Sequence, residues 1–388
     1  MNVYLDWAAT SVPDPDICRK VSECSTEFYG NPSSQHQEGQ KASRVLEESR
    51  ERCARALGVK ASEIIFTSGG TESNNMVLLS FLRKPSRGTV ILSPIEHPAI
   101  LEPAEVLREA GYRIKFIKPE PDGIITVQTL EKALTEDTRL VTVMAVNNET
   151  GAIQPVSQLA DAVHRYAAEH GRKIHFHCDA VQGTGKVSID FSDSNIHSFS
   201  ISGHKLRGPR GIGILVLKNQ IQCVVQGGHQ ESGIRPGTEN TPAIFGMSLA
   251  LEQAMTNLDR NISQAHTLMD GLISRLSQDQ AYTIIPQSRP EHPEKYSPYI
   301  ISLAAVPVPG EIMARVLDDS GFCVGTGSAC SNRKKSLSKT LEAMKVPEET
   351  SFSRIRVSIG YTTLQEDLES FMEALDRQSR IMLKTYRK

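Results

Sequence analysis

Two residues of this sequence, an aspartate and a lysine, each follow a predicted strand and together are able to do chemistry. Asp179 comes directly after the alternating run 174–178, and Lys205 follows the apolar run 199–201 in a turn closed by glycines and a proline. A lysine amine forms a Schiff base with the aldehyde of pyridoxal phosphate, and a carboxylate keeps the pyridine nitrogen protonated. The pair predicts such a site, although its spacing alone also fits a turn aspartate and a solvated lysine.

The elements that must position these residues alternate along the chain. Strands that alternate with helices indicate βαβ units, so we predict an α/β fold with a mostly parallel central sheet flanked by helices. Strands are predicted at 64–66, 89–92, 113–117, 140–146 and 211–217, and helices at 16–28, 42–57, 127–134 and 156–170.

Four polar residues follow predicted strands at once. They are His97, Asn148, Asp179 and Lys205. Ligand sites in such sheets lie at the carboxyl ends of the strands, so we expect the four to share one edge. A single histidine after a strand is more often a satisfied polar residue, so the prediction depends on the convergence.

A strand, a glycine turn and a helix start follow one another in E-I-I-F-T-S-G-G-T-E-S-N-N, residues 63–75. Gly69 and Gly70 form the turn, and Thr71 opens the helix. Backbone N–H groups and the helix dipole converge there, which is typical of a phosphate cradle. A plain helix cap on an α/β crossover is the alternative.

The second half of the chain predicts a functional loop and a smaller domain. The stretch 227–240 is too rich in glycine for a core element and too long for a hairpin. One long helix, 242–276, follows, and then a strand at 300–303 and helices at 311–319 and from 365. We predict a large domain over residues 15–257 and a small α+β domain formed by residues 1–14 and 258–388.

Composition excludes several classes of protein. The chain has 388 residues, a formal net charge of −2 and 39% hydrophobic residues, which argues against a general nucleic-acid or membrane binder. We see no secretory signal and no apolar run long enough to span a membrane. Seven cysteines without a C-x-x-C pair fit a reducing cytoplasm and predict no metal site.

Ten short motifs in order resemble the NifS/IscS cysteine desulfurases, which are fold-type I pyridoxal phosphate enzymes of the class V aminotransferase type. The motifs are Y-L-D-W-A-A-T, G-N-P-S-S-Q-H, F-T-S-G-G-T-E-S-N-N, E-H, V-N-N-E-T-G, D-A-V-Q, S-I-S-G-H-K, G-I-R-P-G-T-E-N, G-T-G-S-A-C-S and R-V-S-I-G-Y-T-T. The resemblance covers nearly the whole chain. It departs from the usual pattern at Trp7 and Gly70, which leaves the subgroup open.

The resemblance implies a role for each matching residue that surrounds the cofactor. Lys205 carries the Schiff base, Asp179 pairs with the pyridine nitrogen, and Gln182 bonds the ring hydroxyl. His97 stacks on the ring and moves protons. The remaining cofactor-binding residues are Asn148, Gly70, Thr71, Ser202 and His204, together with Thr238 from the second subunit of a homodimer.

The resemblance also implies the substrate and the sulfur carrier. Asn148, Arg356 and Asn31 bind L-cysteine, and the planar Arg fork suits its carboxylate. Lys205 takes the Cα proton, and the thiolate of Cys330 attacks the substrate sulfur to give a persulfide and L-alanine. A sulfur-acceptor protein of iron–sulfur cluster assembly or of tRNA thiolation then takes the sulfur. We expect Cys330 to lie on an exposed loop and Cys323 to be a buried thiol on a strand.

Other functions remain open at this point. A selenocysteine lyase or an aminotransferase of the same fold also needs Lys205 and Asp179, but an aminotransferase has no use for Cys330. A catalytically inactive scaffold would have lost Lys205. A dinucleotide-binding oxidoreductase is disfavoured because no G-x-G-x-x-G follows the first strand.

Overall fold

Most of the central sheet is parallel in the computed structural model, which describes residues 2–191, 194–326 and 338–386. Within them, seven strands pair in the order β2-β8-β7-β6-β5-β3-β4, and only β8 runs in the direction opposite to the other six. These strands are β2 Ile64–Thr67, β3 Thr89–Leu92, β4 Arg113–Phe116, β5 Thr138–Thr142, β6 His175–Asp179, β7 Ser198–Ser202 and β8 Gly213–Leu217. The predicted α/β fold is confirmed.

Helices cover the sheet and join its strands. They are α1 Pro15–Glu27, α2 Gln37–Leu57, α3 Gly70–Ser80, α4 Pro98–Glu109, α5 Val127–Glu131, α6 Val156–Glu169 and α7 Thr241–Thr256. Two of them begin where a sheet strand has just ended. Gly69 precedes α3 directly after β2, and the His97 side chain caps α4 by accepting a hydrogen bond from Ala99 N.

The rest of the chain forms a second body of small sheets and helices. Its elements are β1 Val3–Leu5, α8 Leu258–Ser277, β9 Thr283–Ile285, β10 Ile300–Ala304, α9 Gly310–Asp318, β11 Phe322–Val324, α10 Lys339–Ala343, α11 Glu348–Phe352, β12 Arg354–Ser358 and α12 Gln365–Tyr386. β12, β10 and β9 form an antiparallel sheet, and β1 pairs in parallel with β11.

Two large hydrophobic clusters follow this division. One contains buried residues between Ile17 and Ala254, and the other joins Leu5 and Ala8 to residues between Ala265 and Leu375. The domain limits 15–257, and 1–14 with 258–388, remain our proposal, which this packing supports. None of the helices in the described ranges is both long enough and apolar enough to cross a membrane.

Two sequence expectations need correction. The single helix predicted at 242–276 is two helices, because Asn257 ends α7 and precedes α8. Cys323 does lie on a strand, as expected, but its thiol is not buried: the residue is half-exposed and Sγ lies 3.7 Å from Asp318 Oδ1. The reason is that β11 pairs with the short β1 at the margin of the molecule and not inside a larger sheet.

Candidate active site

A cavity of about 400 Å³ opens at the carboxyl ends of the sheet strands. All four residues that were expected to share one edge line it, which is what the strand pattern predicts for a parallel sheet. Six further candidates also line this cavity: Gly70, Thr71, Gln182, Ser202, His204 and Arg356. The structure therefore brings together ten of the thirteen residues singled out from the sequence.

Lys205 lies in a turn that directly follows β7. Its Nζ donates hydrogen bonds to Ala8 O at 2.5 Å and to Ala9 O at 2.7 Å, so the N-terminal segment covers the amine. Burial lowers the pKa of Lys205 to about 8, and the nearby charge of Arg356 acts in the same direction. A lysine with this pKa has a useful share of neutral amine near pH 7, which condensation with an aldehyde requires.

Asp179, the last residue of β6, is held in place by two hydrogen bonds. Oδ1 accepts from Val181 N at 3.0 Å, and Oδ2 accepts from Asn74 Nδ2 at 2.7 Å. The side chain is buried but still lines the cavity. A carboxylate fixed in this way can face a cationic ring nitrogen without having to reorganise.

Gln182 is oriented by groups on both sides of its amide. Nε2 donates to Ala8 O at 2.8 Å, and Oε1 accepts from Lys186 Nζ at 3.1 Å. Burial lowers the pKa of Lys186 to about 7, with the charges of Lys205 and Arg356 adding to the effect. This arrangement fixes which end of the Gln182 amide carries the N–H groups that are available for a ligand.

The start of α3 has the geometry of an anion cradle. Gly69 precedes it with φ of +152°, a conformation that favours glycine. A Cβ on Gly70 would come within 2.6 Å of Val181 Cγ2, so a larger residue there requires a shift. Opposite the helix, burial lowers the pKa of His204 to about 4, and its Nδ1 lies 3.1 Å from Thr10 Oγ1. His204 is therefore a neutral hydrogen-bonding group near pH 7.

His97 has a defined tautomer. Its Nδ1 accepts a hydrogen bond from Ala99 N at 3.1 Å, so in the neutral ring the proton lies on Nε2. Burial lowers the pKa of His97, which favours this neutral form. A flat neutral ring on the cavity wall can stack on an aromatic cofactor and exchange a proton through Nε2.

Arg356, on β12, closes the cavity from the second body. Its Nη1 donates to Asn148 O at 2.9 Å, and its Nη2 forms an ion pair with Asp6 Oδ1 at 2.7 Å. The side chain is almost fully buried. The guanidinium is thus a fixed cationic fork that suits a carboxylate ligand.

Three candidates lie elsewhere. Asn31 is exposed, and its Oδ1 accepts from Ser33 N at 2.9 Å in a local turn. Thr238 is exposed on the 227–240 segment, which is tied down by two ion pairs, Arg50–Glu231 and Arg235–Glu72. Cys330 lies outside the described residues.

Sequence reasoning missed Asp6, Asn74 and Lys186. Asp6 and Asn74 line the cavity, and Lys186 holds the Gln182 amide. Asn74 lies three residues after Thr71, and Lys186 four residues after Gln182, so helical or turn spacing was the one signal that pointed to them. The ion pair between Asp6 and Arg356 joins residues 350 positions apart and has no sequence signal.

These groups fit pyridoxal phosphate. The cavity combines a buried lysine amine of lowered pKa, a fixed carboxylate, a neutral imidazole and a glycine-lined helix start. A Schiff base, a pyridinium partner, a ring neighbour and a phosphate cradle are the four contacts that this cofactor needs from a protein.

Comparison with known proteins agrees with this geometry. The sequence profile of the aminotransferase class-V family matches residues 3–371. The chain is 36% identical to the cysteine desulfurase IscS of Dictyoglomus turgidum, over 97% of this chain and 94% of the relative. It is 34% identical to the cysteine desulfurase NifS of Azotobacter vinelandii, over 95% of this chain and 90% of the relative.

Solved structures lead to the same result. A NifS-like protein superposes with a TM-score of 0.89 at 32% identity, covering 98% of this chain and 99% of that one. A structure of SspA in complex with cysteine superposes with a TM-score of 0.79 at 28% identity, covering 94% and 100% of the two chains. The resemblance inferred from the ten motifs is confirmed.

Proposed function

This chain belongs to the aminotransferase class-V family and, within it, to the IscS/NifS cysteine desulfurases, and we propose that it uses pyridoxal phosphate to convert L-cysteine to L-alanine. The sulfur of L-cysteine passes to Cys330 and forms a persulfide there. The observation that carries the proposal is that Lys205, Asp179 and Arg356 line one cavity. An amine, a ring-nitrogen partner and a carboxylate fork in one place are what a cofactor-bound amino acid requires.

When bound, pyridoxal phosphate supplies an electron sink for the negative charge that develops at the substrate Cα. The residues that hold it are Lys205, Asp179, Gln182, His97, Asn148, Gly70, Thr71, Ser202 and His204. Thr238 of the second subunit of a homodimer completes the phosphate site. Its exposure in the single chain leaves it accessible to a second copy.

The protein's own groups perform the proton and sulfur steps. Arg356 and Asn148, with Asn31, orient the substrate carboxylate, and the neutral Lys205 amine takes the Cα proton. The Cys330 thiolate then attacks the cysteine sulfur. An S–S bond forms while the C–S bond breaks, and the carbon fragment is protonated and leaves as L-alanine. His97, with its proton on Nε2, is placed to move protons during these steps.

The described residues that flank the Cys330 segment support this proposal. Thr326, four residues before Cys330, lines the cavity, and its carbonyl accepts a hydrogen bond from Arg354 Nη2. On the other side Ser338 Oγ donates to Glu149 Oε2 at 2.7 Å, and the same oxygen pairs with Arg354 at 2.8 Å. Both flanks of the Cys330 segment are therefore fixed next to Asn148.

A single turnover of the purified holoenzyme with L-cysteine tests the proposal. We expect one persulfide per active site on Cys330 and one alanine, and both should be lost in Cys330→Ala. Cys323→Ala is the matched control and should keep both, because Cys323 is a half-exposed residue held near Asp318. Unchanged alanine formation in Cys330→Ala would overturn the transfer of sulfur to Cys330 while leaving the fold and the cofactor in place.

The sulfur acceptor follows from the same chemistry. A persulfide sulfur can pass directly to a thiol of another protein, and we propose an iron–sulfur scaffold or a tRNA-thiolation protein in this role. Transfer of labelled sulfur from the loaded holoenzyme to each purified candidate distinguishes the two.

A further inference from the structure

The region behind Asp179 contains a continuous line of buried polar side chains that the proposed mechanism does not use. Asn74 Nδ2 lies 2.7 Å from Asp179 Oδ2, and Asn74 Oδ1 lies 2.9 Å from His177 Nε2. His177 Nδ1 is 2.8 Å from Ser198 Oγ, which is 2.7 Å from His175 Nε2. Asn74, His177 and Ser198 are each at most 1% exposed, so water does not interrupt the line.

The chemistry of the end groups fixes the direction of every hydrogen bond. An ionised Asp179 only accepts, so Asn74 must turn its NH₂ group towards Asp179 and its oxygen towards His177. His177 must then carry its proton on Nε2. Burial lowers the pKa of His177 to about 3, so the ring is neutral and Nδ1 accepts from the Ser198 hydroxyl. Ser198 has one proton, and it therefore accepts from His175 Nε2.

Each donor in this line thus points towards the carboxylate. Hydrogen bonds in such a chain polarise one another in a low-dielectric interior, and their dipoles act together on the final acceptor. We infer that Asn74, His177 and Ser198 are positioning residues that orient the Asp179 carboxylate and stabilise its negative charge opposite the ring nitrogen of the bound cofactor. This inference rests on the proposed function, because it assigns these three residues a role only when pyridoxal phosphate is bound.

The visible absorption band of the holoenzyme is the readout. A protonated ring nitrogen withdraws electrons from the Schiff-base nitrogen at Lys205 and lowers its pKa. A weakened Asp179 holds the ring proton less firmly, so the pH midpoint of the visible band should rise. A residue with a merely structural role would alter stability and leave this midpoint unchanged.

The chain offers a matched pair of serines for the test. Ser198 and Ser200 lie two residues apart on β7, so they face the same side of the sheet, and both are buried. Within the described ranges, Ser200 Oγ has no hydrogen-bond partner, whereas Ser198 Oγ joins two histidines. Ser198→Ala should raise the midpoint, and Ser200→Ala should leave it unchanged.

Substitutions of His177 should give the larger shift of the pH midpoint and also a variant that reverses it. His177→Phe keeps a flat ring but removes both nitrogens, and we expect the midpoint to rise by about 0.5–1 pH unit, with about half of that for Ser198→Ala. His177→Gln supplies an amide N–H to Asn74, so its midpoint should return most of the way to the wild-type value. The other ionisable groups that act on Asp179 are Glu96, His97, Cys178 and Lys205, and these variants alter none of them.

Histidine ring ¹⁵N spectra of the holoenzyme give a second measurement that does not depend on the variants' absorption. Both His175 and His177 should be neutral with the proton on Nε2. Equal midpoints in wild type, His177→Phe and Ser198→Ala overturn the inference, as does an Nδ1–H tautomer of His177 or an equal shift in Ser200→Ala. A wild-type protein that acquires no visible band with pyridoxal phosphate overturns the proposed function itself, and this inference with it.

Discussion

The cavity has two sides that are built in different ways. Its floor is formed by Asn74 and Asp179, with the buried His177 behind them. The three residues come from one sheet and the helix packed on it, and hydrogen bonds of 2.7–2.9 Å join them. Its wall, formed by Asp6, Gly325 and Arg356, comes from the second body. There Gly325 and Arg356 exchange backbone hydrogen bonds, and the Asp6–Arg356 ion pair spans 350 positions.

This difference suggests separate roles: the floor for the chemical step and the wall for substrate binding. The floor is fixed by strand pairing and by the hydrogen bonds between α3 and β6, so it is preorganised before any ligand arrives. The wall keeps its geometry only while the second body lies against the first. We therefore expect changes in the floor to reduce kcat and changes in the wall to raise KM.

The largest expected effect belongs to the floor. Asp179→Asn keeps the size of the side chain but removes the negative charge that we propose pairs with the ring nitrogen of the cofactor. We expect kcat for alanine formation to fall about 10²–10³-fold at saturating cofactor, with KM for L-cysteine nearly unchanged, as for the loss of one preorganised electrostatic group. Steady-state kinetics check this. A kcat within tenfold of wild type would mean that the floor charge is not the main electrostatic contribution.

Arg356→Lys changes the shape of the cationic group on the wall but keeps its positive charge. Lysine lacks the planar fork that binds a carboxylate with two hydrogen bonds. We expect KM for L-cysteine to rise about tenfold, which corresponds to about 1.4 kcal/mol, with a much smaller change in kcat.

Asp6→Asn is the control for this variant, because it leaves the guanidinium intact but removes its ion-pair partner. Its KM should lie between those of wild type and Arg356→Lys. An equal fall of kcat in both variants with KM unchanged would place Arg356 in the chemical step and remove the distinction between the two sides.

The smallest expected effect is on the stability of the protein, and it concerns Lys186. Burial lowers the pKa of Lys186 to about 7, below the value of about 10.4 in an unfolded chain. Between these values the unfolded state binds more protons than the folded state. The contribution of Lys186 to the free energy of unfolding therefore increases as pH rises. Lys186→Met should therefore stabilise the holoenzyme most below pH 7, and the gain should shrink towards pH 10.

Urea unfolding at pH 6.5, 8 and 9.5 measures this difference. Lys60→Met, at an exposed position, is the matched control and should show a difference from wild type that stays constant over this range. A pH-independent gain for Lys186→Met would show that Lys186 has the same protonation in both states.

The floor was the more predictable of the two sides. Asp179 and Lys205 follow apolar runs that are visible in the sequence, and strand order brings such residues to one edge. Asn74 and His177 were not recognised. Helical spacing after Thr71 pointed to Asn74, but nothing in the sequence shows that a helix residue contacts His177 and Asp179 on a strand. The wall depends on how two bodies meet, which local sequence does not encode, so Arg356 was identified by its motif alone.

One departure from the family pattern has a structural explanation. Trp7 is buried, and it packs so closely on Gly360 that a Cβ there would come within 2.0 Å of its indole ring. The two residues form one unit: a large ring on the N-terminal segment matched by the absence of a side chain on the other. The sequence showed both residues, the glycine within the motif R-V-S-I-G-Y-T-T, but not that they pack against each other.

The N-terminal segment also sets an order of events during synthesis. Ala8 and Ala9 supply the carbonyls that hold Lys205, and Val3–Leu5 pairs with Phe322–Val324, which is made about 300 residues later. At roughly 5–20 residues per second, a ribosome needs about 15–60 s to reach that strand. Until then the first strand has no partner, and the segment that covers Lys205 is held only by contacts such as Ser11 N–His204 O. The last contacts around this pocket therefore form only when the chain is almost fully translated.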